Sequence, residues 1–148
     1  LSFIHNHILT PHIHSFVYVA GAFWQEKTPD VDAMLGGLKV NDVDLRTSRA
    51  FLSKYFSAIQ KRKRQQKETN ATLRAADCGS GIGRITFGLL VDFFNYVDLV
   101  EPCKNFLETA KQTAIEKGMK ERCGFINEPL QSVTFEPAHY DVVWIQWV

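Results

Sequence analysis

The stretch Asp77-Cys78-Gly79-Ser80-Gly81-Ile82-Gly83-Arg84 decides the fold. Three glycines at alternate positions let the backbone bend tightly and approach a ligand closely. Before them, Thr72 to Cys78 reads as a buried strand; after them, Gly83 to Phe94 reads as a helix with Ile85, Leu89, Leu90 and Phe93 on one side. A helix starting there offers free N–H groups and the positive end of its dipole to an anion. Arg84 adds a fixed positive charge beside it. Glu101 stands at the end of the next strand, Tyr96 to Val100. A carboxylate at that place accepts hydrogen bonds from both hydroxyls of a ribose. Loop and acid together point to a nucleoside-containing cofactor.

The pattern continues outward on both sides. Lys104 to Lys117 is an amphipathic helix through Phe106, Leu107, Ala110, Ala114 and Ile115, closed by Gly118. Cys123 to Asn127 is a third short strand and Tyr140 to Val148 an apolar fourth. Strands alternating with helices predict βαβ units and a parallel sheet. Upstream, Gly36-Gly37 marks a turn. Asp44 or Thr47 is placed to cap a helix carrying Phe51, Leu52, Tyr55, Phe56 and Ile59 as an apolar stripe. That helix runs into the basic segment Lys61 to Asn70, read as a solvated helix end and linker rather than a phosphate-contacting patch.

Composition narrows the classes of function. The 148 residues suit one domain, and 45% apolar residues suffice for a core. Seventeen Lys and Arg against 16 Asp and Glu leave a net charge of +1, so a global grip on nucleic acid is not expected. No apolar run approaches the roughly 20 residues needed to span a bilayer. Cys78, Cys103 and Cys123 are too few and scattered for a disulfide framework, and an odd count fits a reducing compartment. Leu1 to Gly21 holds His5, His7, His12 and His14 without a charged residue. It reads as a poorly structured leader, and no metal site is assigned to it because zinc wants about four converging ligands with a second shell.

Three readings compete. The dinucleotide fingerprint GxGxxG/A needs a small third residue, and counting from Gly79 that position is the bulky Arg84. A nicotinamide-dependent oxidoreductase is therefore the runner-up, and a nucleic-acid module using residues 61–67 the non-enzymatic alternative. The alternating D-x-G-x-G-x-G form resembles the first motif of S-adenosylmethionine-dependent methyltransferases. More of the chain shares the likeness: Trp24, Val31-Asp32-Ala33-Met34-Leu35-Gly36-Gly37, the loop Asp77 to Thr86, Leu130-Gln131 and Trp144-Ile145-Gln146-Trp147-Val148. Together these resemble the protein α-N-terminal methyltransferases, which modify chains beginning X-Pro-Lys. The likeness covers about Ala22 to Val148. Two departures stand out: Leu38-Lys39 follow the paired glycines where the family usually has Tyr-Gly, and the ribose acid, often Asp, is Glu101.

The resemblance implies an α/β, Rossmann-like class I methyltransferase fold, here its N-terminal portion, with an N-terminal helical extension. Its expected divisions are a leader over residues 1–21, a helical and substrate-channel extension over 22–70 and part of the cofactor domain over 71–148. It implies that Gly79 and Arg84 hold the methionine part of S-adenosylmethionine. Glu101, Pro102 and Cys103 would hold the ribose, Leu130 and Gln131 would flank the adenine, and Gln146 would sit near the methyl group. Trp24, Leu35, Gly36 and Trp147 would line the channel for the N-terminal tails of substrate proteins. The catalytic residues are expected beyond residue 148, so this chain by itself is expected to turn over poorly. Nucleus and cytoplasm are the expected locations, and no membrane is expected as a partner.

Overall fold

The computed structural model describes residues 23–65 and 72–148. The His-rich leader and the end of the basic segment lie outside the described residues. Four parallel strands form one sheet: β1 (Arg74–Cys78), β2 (Tyr96–Val100), β3 (Cys123–Ile126) and β4 (Val142–Ile145), in the order β3-β2-β1-β4. Cys78 pairs in register with both Val100 and Ile145, and Val100 with Ile126, so all four strands end at one edge. Alternation along β1 and β2 serves two faces. Ala75 and Val97 enter one core cluster, while Ala76, Cys78 and Val100 enter another on the opposite face. Both central strands are buried from their second residue onward, as expected of a parallel sheet covered on both sides.

Helix α1 (Val31–Met34) starts at Asp30, whose Oδ1 accepts from Ala33 N at 2.8 Å. The Gly36-Gly37 turn follows, with φ of 59° and 80°. Helix α2 (Asn41–Gln65) is longer than the sequence reading allowed. It begins at Asn41, so Asp44 and Thr47 lie inside it and do not cap it. Its inward side is formed by Leu45, Leu52 and Phe56, which pack on the β1–β2 cluster. Phe51, 58% exposed, and the exposed Tyr55 lie outside that cluster, Phe51 along a hollow between α2 and β4. Of the expected stripe, Leu52 and Phe56 face inward as read, while Phe51 and Tyr55 stay exposed. The adjacent pairs Phe51-Leu52 and Tyr55-Phe56 put apolar residues on both sides, so periodicity alone does not choose between them.

The helix expected over Gly83 to Phe94 is broken. Helix α3 (Arg84–Gly88) ends at Leu89, and a 3-10 turn (Leu90–Asp92) follows. Arg49 Nη2 donates to the Gly88 carbonyl at 2.9 Å, while Arg122 Nη2 donates to the carbonyls of Val91 and Phe94. Side chains from other elements thus satisfy carbonyls that a continuing helix would use. Helix α4 (Lys104–Glu116) covers β2 and β3 through Leu107, Ala110 and Ala114. Gly118 closes it at φ 65°, as expected. None of the described helices is long and apolar enough to cross a membrane.

Candidate functional site

The parallel register brings three connections to the carboxyl edge of the sheet: the glycine loop after β1, Glu101 to Cys103 after β2, and Gln146 to Val148 after β4. A cleft opens there, lined by Gly79, Ser80, Gly81, Arg84, Glu101 and Pro102, with Trp24, Met34, Gln146 and Trp147 at its walls. Ligands in open α/β sheets bind at this edge.

The loop's bend rests on its glycines. Gly79, Gly81 and Gly83 all have positive φ, at 70°, 55° and 80°. A Cβ on Gly83 would sit 2.4 Å from Phe87 Cε2, and one on Gly81 2.7 Å from Met34 Sδ. Alternating glycines are therefore required by backbone angle and by space together. The loop's N–H groups are largely turned inward. Gly79 and Ser80 both donate to the Val100 carbonyl, at 2.8 and 3.1 Å, and Gly83 donates to the Ser80 carbonyl at 2.9 Å. Gly81 donates to Glu101 Oε2 at 2.8 Å.

Glu101 is buried, and its second oxygen accepts from Cys103 N at 2.8 Å. Burial raises its pKa, while the two N–H donors pull it back down. Each oxygen keeps lone-pair capacity for a further donor such as a sugar hydroxyl. Asn127, which sequence reasoning missed, holds the same turn by donating from Nδ2 to the carbonyls of Glu101 and Pro102, at 2.8 and 3.0 Å. Asp77 ends β1 below the loop and accepts from Thr86 Oγ1 at 2.6 Å. Burial, opposed by that bond, pushes its pKa up to about 6.

Arg84 does not face the cleft as a free cation. Its Nη1 pairs with Asp44 Oδ2 at 2.7 Å, with side chains only 8% and 12% exposed. The other oxygen of Asp44 accepts from Gln146 Nε2 at 2.7 Å and Trp147 Nε1 at 3.1 Å. Gln146 also exchanges hydrogen bonds with Ser48 and accepts from Trp144 Nε1 at 2.8 Å. One carboxylate on α2 thus ties the first residue of α3 to the segment after β4. These bonds account for a correction to the fourth strand, which stops at Ile145 instead of running to Val148. Trp147 then takes φ 60° and turns the chain over the loop, where Val148 packs on Gly79.

Of the expected site residues, the structure brings Gly79, Arg84, Glu101, Pro102, Gln146, Trp24 and Trp147 to one cleft. The others do not line it. Leu35 is buried, and Gly36 lines a neighbouring hollow that shares Trp24. The Cys103 side chain is buried, so that residue contributes main chain only, and burial pushes its thiol up to about 11 despite the adjacent start of α4. Leu130 packs on the cluster of Ala76, Cys78 and Val100, and Gln131 is exposed. Asp44, Ser48 and Met34 were missed as site residues. Asp44 was visible only as a possible cap, and Met34 only as part of a longer motif.

A parallel α/β sheet with a glycine loop after its first strand and an acid after its second defines a nucleoside-cofactor protein of the class I methyltransferase type. The chain belongs to the family described as AdoMet dependent proline di-methyltransferase, whose model matches residues 13–148. It is 40% identical over 138 residues to the rat N-terminal Xaa-Pro-Lys N-methyltransferase 1, covering 90% of this chain and 56% of that protein. It is 41% identical over 128 residues to the alpha N-terminal protein methyltransferase 1 of Schizosaccharomyces pombe, covering 84% of this chain and 53% of that one. A SAM-dependent methyltransferase of Leishmania major superposes with a TM-score of 0.69 at 34% identity, over 85% of this chain and 46% of that chain. The chain spans about half the length of the curated relatives it matches. These relatives give the oxidoreductase and nucleic-acid readings no support.

The residues present fit the family's cofactor, S-adenosylmethionine. Ser80 Oγ is buried at the cleft without a hydrogen-bond partner, and the loop has no room for added side chains at Gly81 or Gly83.

Proposed function

We propose that the protein transfers methyl groups from S-adenosylmethionine to the α-amino group of proteins with an N-terminal Xaa-Pro-Lys. The observation that carries this reading is the meeting of glycine loop, Glu101 and two tryptophans, Trp24 and Trp147, at one cleft. The relatives' names supply the substrate class.

In this reading the cofactor supplies an electrophilic methyl group on a sulfonium. Glu101 accepts from the ribose hydroxyls, with Pro102 and the Cys103 main chain framing it. The adenine would extend beyond the lined cleft toward Leu130 and Gln131. Leu130 is anchored among Cys78 and Val100, the last residues of β1 and β2. Gly79 gives the methionine end its close approach, and Arg84, held by Asp44, shapes that end's wall. Gln146 stands by the reacting centre with its amide oriented by Asp44, Ser48 and Trp144. Trp24 and Trp147 form the aromatic walls for a proline ring and a methylated cation. Leu35 supports the turn whose Gly36 and neighbours shape the entry. The partners are the N-terminal tails of substrate proteins, in nucleus and cytoplasm, where three buried free thiols suit reducing conditions.

The attacking α-amino group, with a pKa near 7.7–8.0 in water, must shed a proton to a positioned base. Among the described residues, the cleft carboxylates Asp77 and Glu101 are already engaged, by Thr86 and by two backbone N–H groups. This chain alone is therefore expected to bind cofactor and to methylate slowly. Calorimetric titration with S-adenosylhomocysteine tests the first statement, with NADH as the control that should show no heat. Mass spectrometry of an Xaa-Pro-Lys peptide incubated with S-adenosylmethionine tests the second, and turnover at ordinary rates would overturn it.

A further inference from the structure

We propose that Asp44 is a positioning residue for the substrate wall: its carboxylate fixes the Trp147 indole at the cleft before a substrate tail arrives. The assignment rests on the reading of this cleft as the place where Xaa-Pro-Lys tails are methylated.

Trp24 and Trp147 both line the cleft, and they are held there by different means. Trp24 sits among aromatic rings, edge-on to Phe23 at 5.3 Å and to Phe106 at 6.5 Å between ring centroids. Trp147 is 54% exposed, and its backbone has φ 60°. A bulky residue disfavours that region, so the conformation has to be held by its surroundings. The Trp147 indole N–H donates to Asp44 Oδ1 at 3.1 Å, and Gln146 Nε2 donates to the same oxygen at 2.7 Å. Gln146 is fixed in turn by Ser48 and Trp144. The other oxygen of Asp44 faces Arg84 Nη1 at 2.7 Å, with both side chains nearly buried. The acceptor of the Trp147 bond is therefore itself anchored.

Released from Asp44, a side chain this exposed can turn its N–H to water. The bond to Asp44 thus contributes orientation more than satisfaction of a donor. Orientation matters at a binding wall, because a mobile side chain loses rotamer freedom when a ligand settles on it. A wall fixed beforehand avoids that loss. The acceptor is also ionised, which makes the bond stronger than one between neutral groups. Asp44 itself is not among the residues lining the cleft, whereas Gln146 and Trp147 are. It acts through them, from the first turn of α2.

A double-mutant cycle on the 148-residue chain tests the assignment, read as the affinity of an Xaa-Pro-Lys peptide under saturating S-adenosylhomocysteine. Trp147→Phe keeps an aromatic ring and removes the indole N–H. Trp147→Phe and Asp44→Ala should each weaken the peptide about three- to tenfold, the scale of one side chain left to be ordered on binding. With Trp147 already replaced by Phe, Asp44→Ala should change the peptide affinity by less than about twofold. The Trp147 indole proton, identified as the resonance missing from Trp147→Phe, should exchange with solvent about tenfold faster in Asp44→Ala. Three results each overturn the assignment: unchanged peptide affinity in Asp44→Ala, additive losses in the double variant, or unchanged exchange of the Trp147 proton. If Asp44→Ala does not fold, Asp44→Ala with Arg84→Met takes its place throughout, since removing both charges strands neither. A wild-type chain that takes up S-adenosylhomocysteine but no peptide defeats the Xaa-Pro-Lys reading and this assignment with it. Peptide binding by wild type with an unaffected Asp44→Ala defeats the assignment alone.

Discussion

The two ends of the sheet hold similar charges and put them to different uses. At the amino end, Asp98 accepts from Tyr140 Oη at 2.9 Å and faces Arg74 Nη2 at 3.7 Å. Arg74 also lies over the Tyr96 ring, and Asp141 takes Arg74 N at 2.9 Å with Lys63 Nζ at 3.4 Å. No run of positive-φ glycines interrupts that end among the described residues. At the carboxyl end, Asp44, Asp77, Arg84 and Glu101 surround a loop with three positive-φ glycines, and Ser80 Oγ and Asp44 Oδ2 are buried there without a hydrogen-bond partner. Charge burial is common to both ends and so does not mark a site. Arg74 Nε at the amino end is buried without a hydrogen-bond partner as well, so what distinguishes the carboxyl end is a backbone that leaves space beside its polar groups.

That contrast can be broken experimentally. The largest effect is expected for Asp44→Ala, which strands a buried guanidinium and removes the acceptor of Gln146 and Trp147. Breaking one side of such a buried pair costs about 3–5 kcal/mol, and urea denaturation should show a loss of that size together with weaker S-adenosylhomocysteine binding. Gly83→Ala places a Cβ at φ 80° against Phe87 and Leu99. Strain and overpacking together should cost about 3 kcal/mol, again with loss of ligand affinity.

Asp77→Asn probes charge at the carboxyl end through pH. The folded pKa of about 6 lies above the unfolded value of 3.8. The folded chain therefore binds the proton more tightly, and the wild type loses stability as pH rises from about 4 to about 6. The Asn variant lacks that loss, so its stability relative to wild type should improve by about 3 kcal/mol across that window. A pH-independent difference in denaturation midpoints would contradict the assignment. The smallest effect is expected for Asp98→Asn at the amino end, which keeps an acceptor for Tyr140 but removes the charge facing Arg74. A loss of about 2 kcal/mol is expected, with S-adenosylhomocysteine affinity unchanged. If that affinity fell as it does for Asp44→Ala, the division between the two ends would not stand.

Legibility in the sequence followed the range of the interactions. The strands at Tyr96–Val100 and Cys123–Ile126 and the helix closed by Gly118 were read nearly to the residue, because hydrophobic period and terminating glycine are local. The helix after the glycine loop was read too long, since the groups that interrupt it come from Arg49 and Arg122. The stripe on α2 was read too wide, because Phe51-Leu52 and Tyr55-Phe56 satisfy two phases at once. The tail of the fourth strand was misread because its apolar run conceals the Gln146 amide and the left-handed turn at Trp147.

By itself the sequence determined the parallel α/β plan, the bend at Gly79 to Gly83 and the acid at Glu101, each a matter of residue type at short spacing. Only the tertiary structure decided that Asp44 meets Gln146 and Trp147 from about a hundred positions away. It also decided that Arg84 is paired with Asp44. The reason is physical: a side chain's chemistry is intrinsic, whereas its burial and its partners depend on what the rest of the chain places beside it.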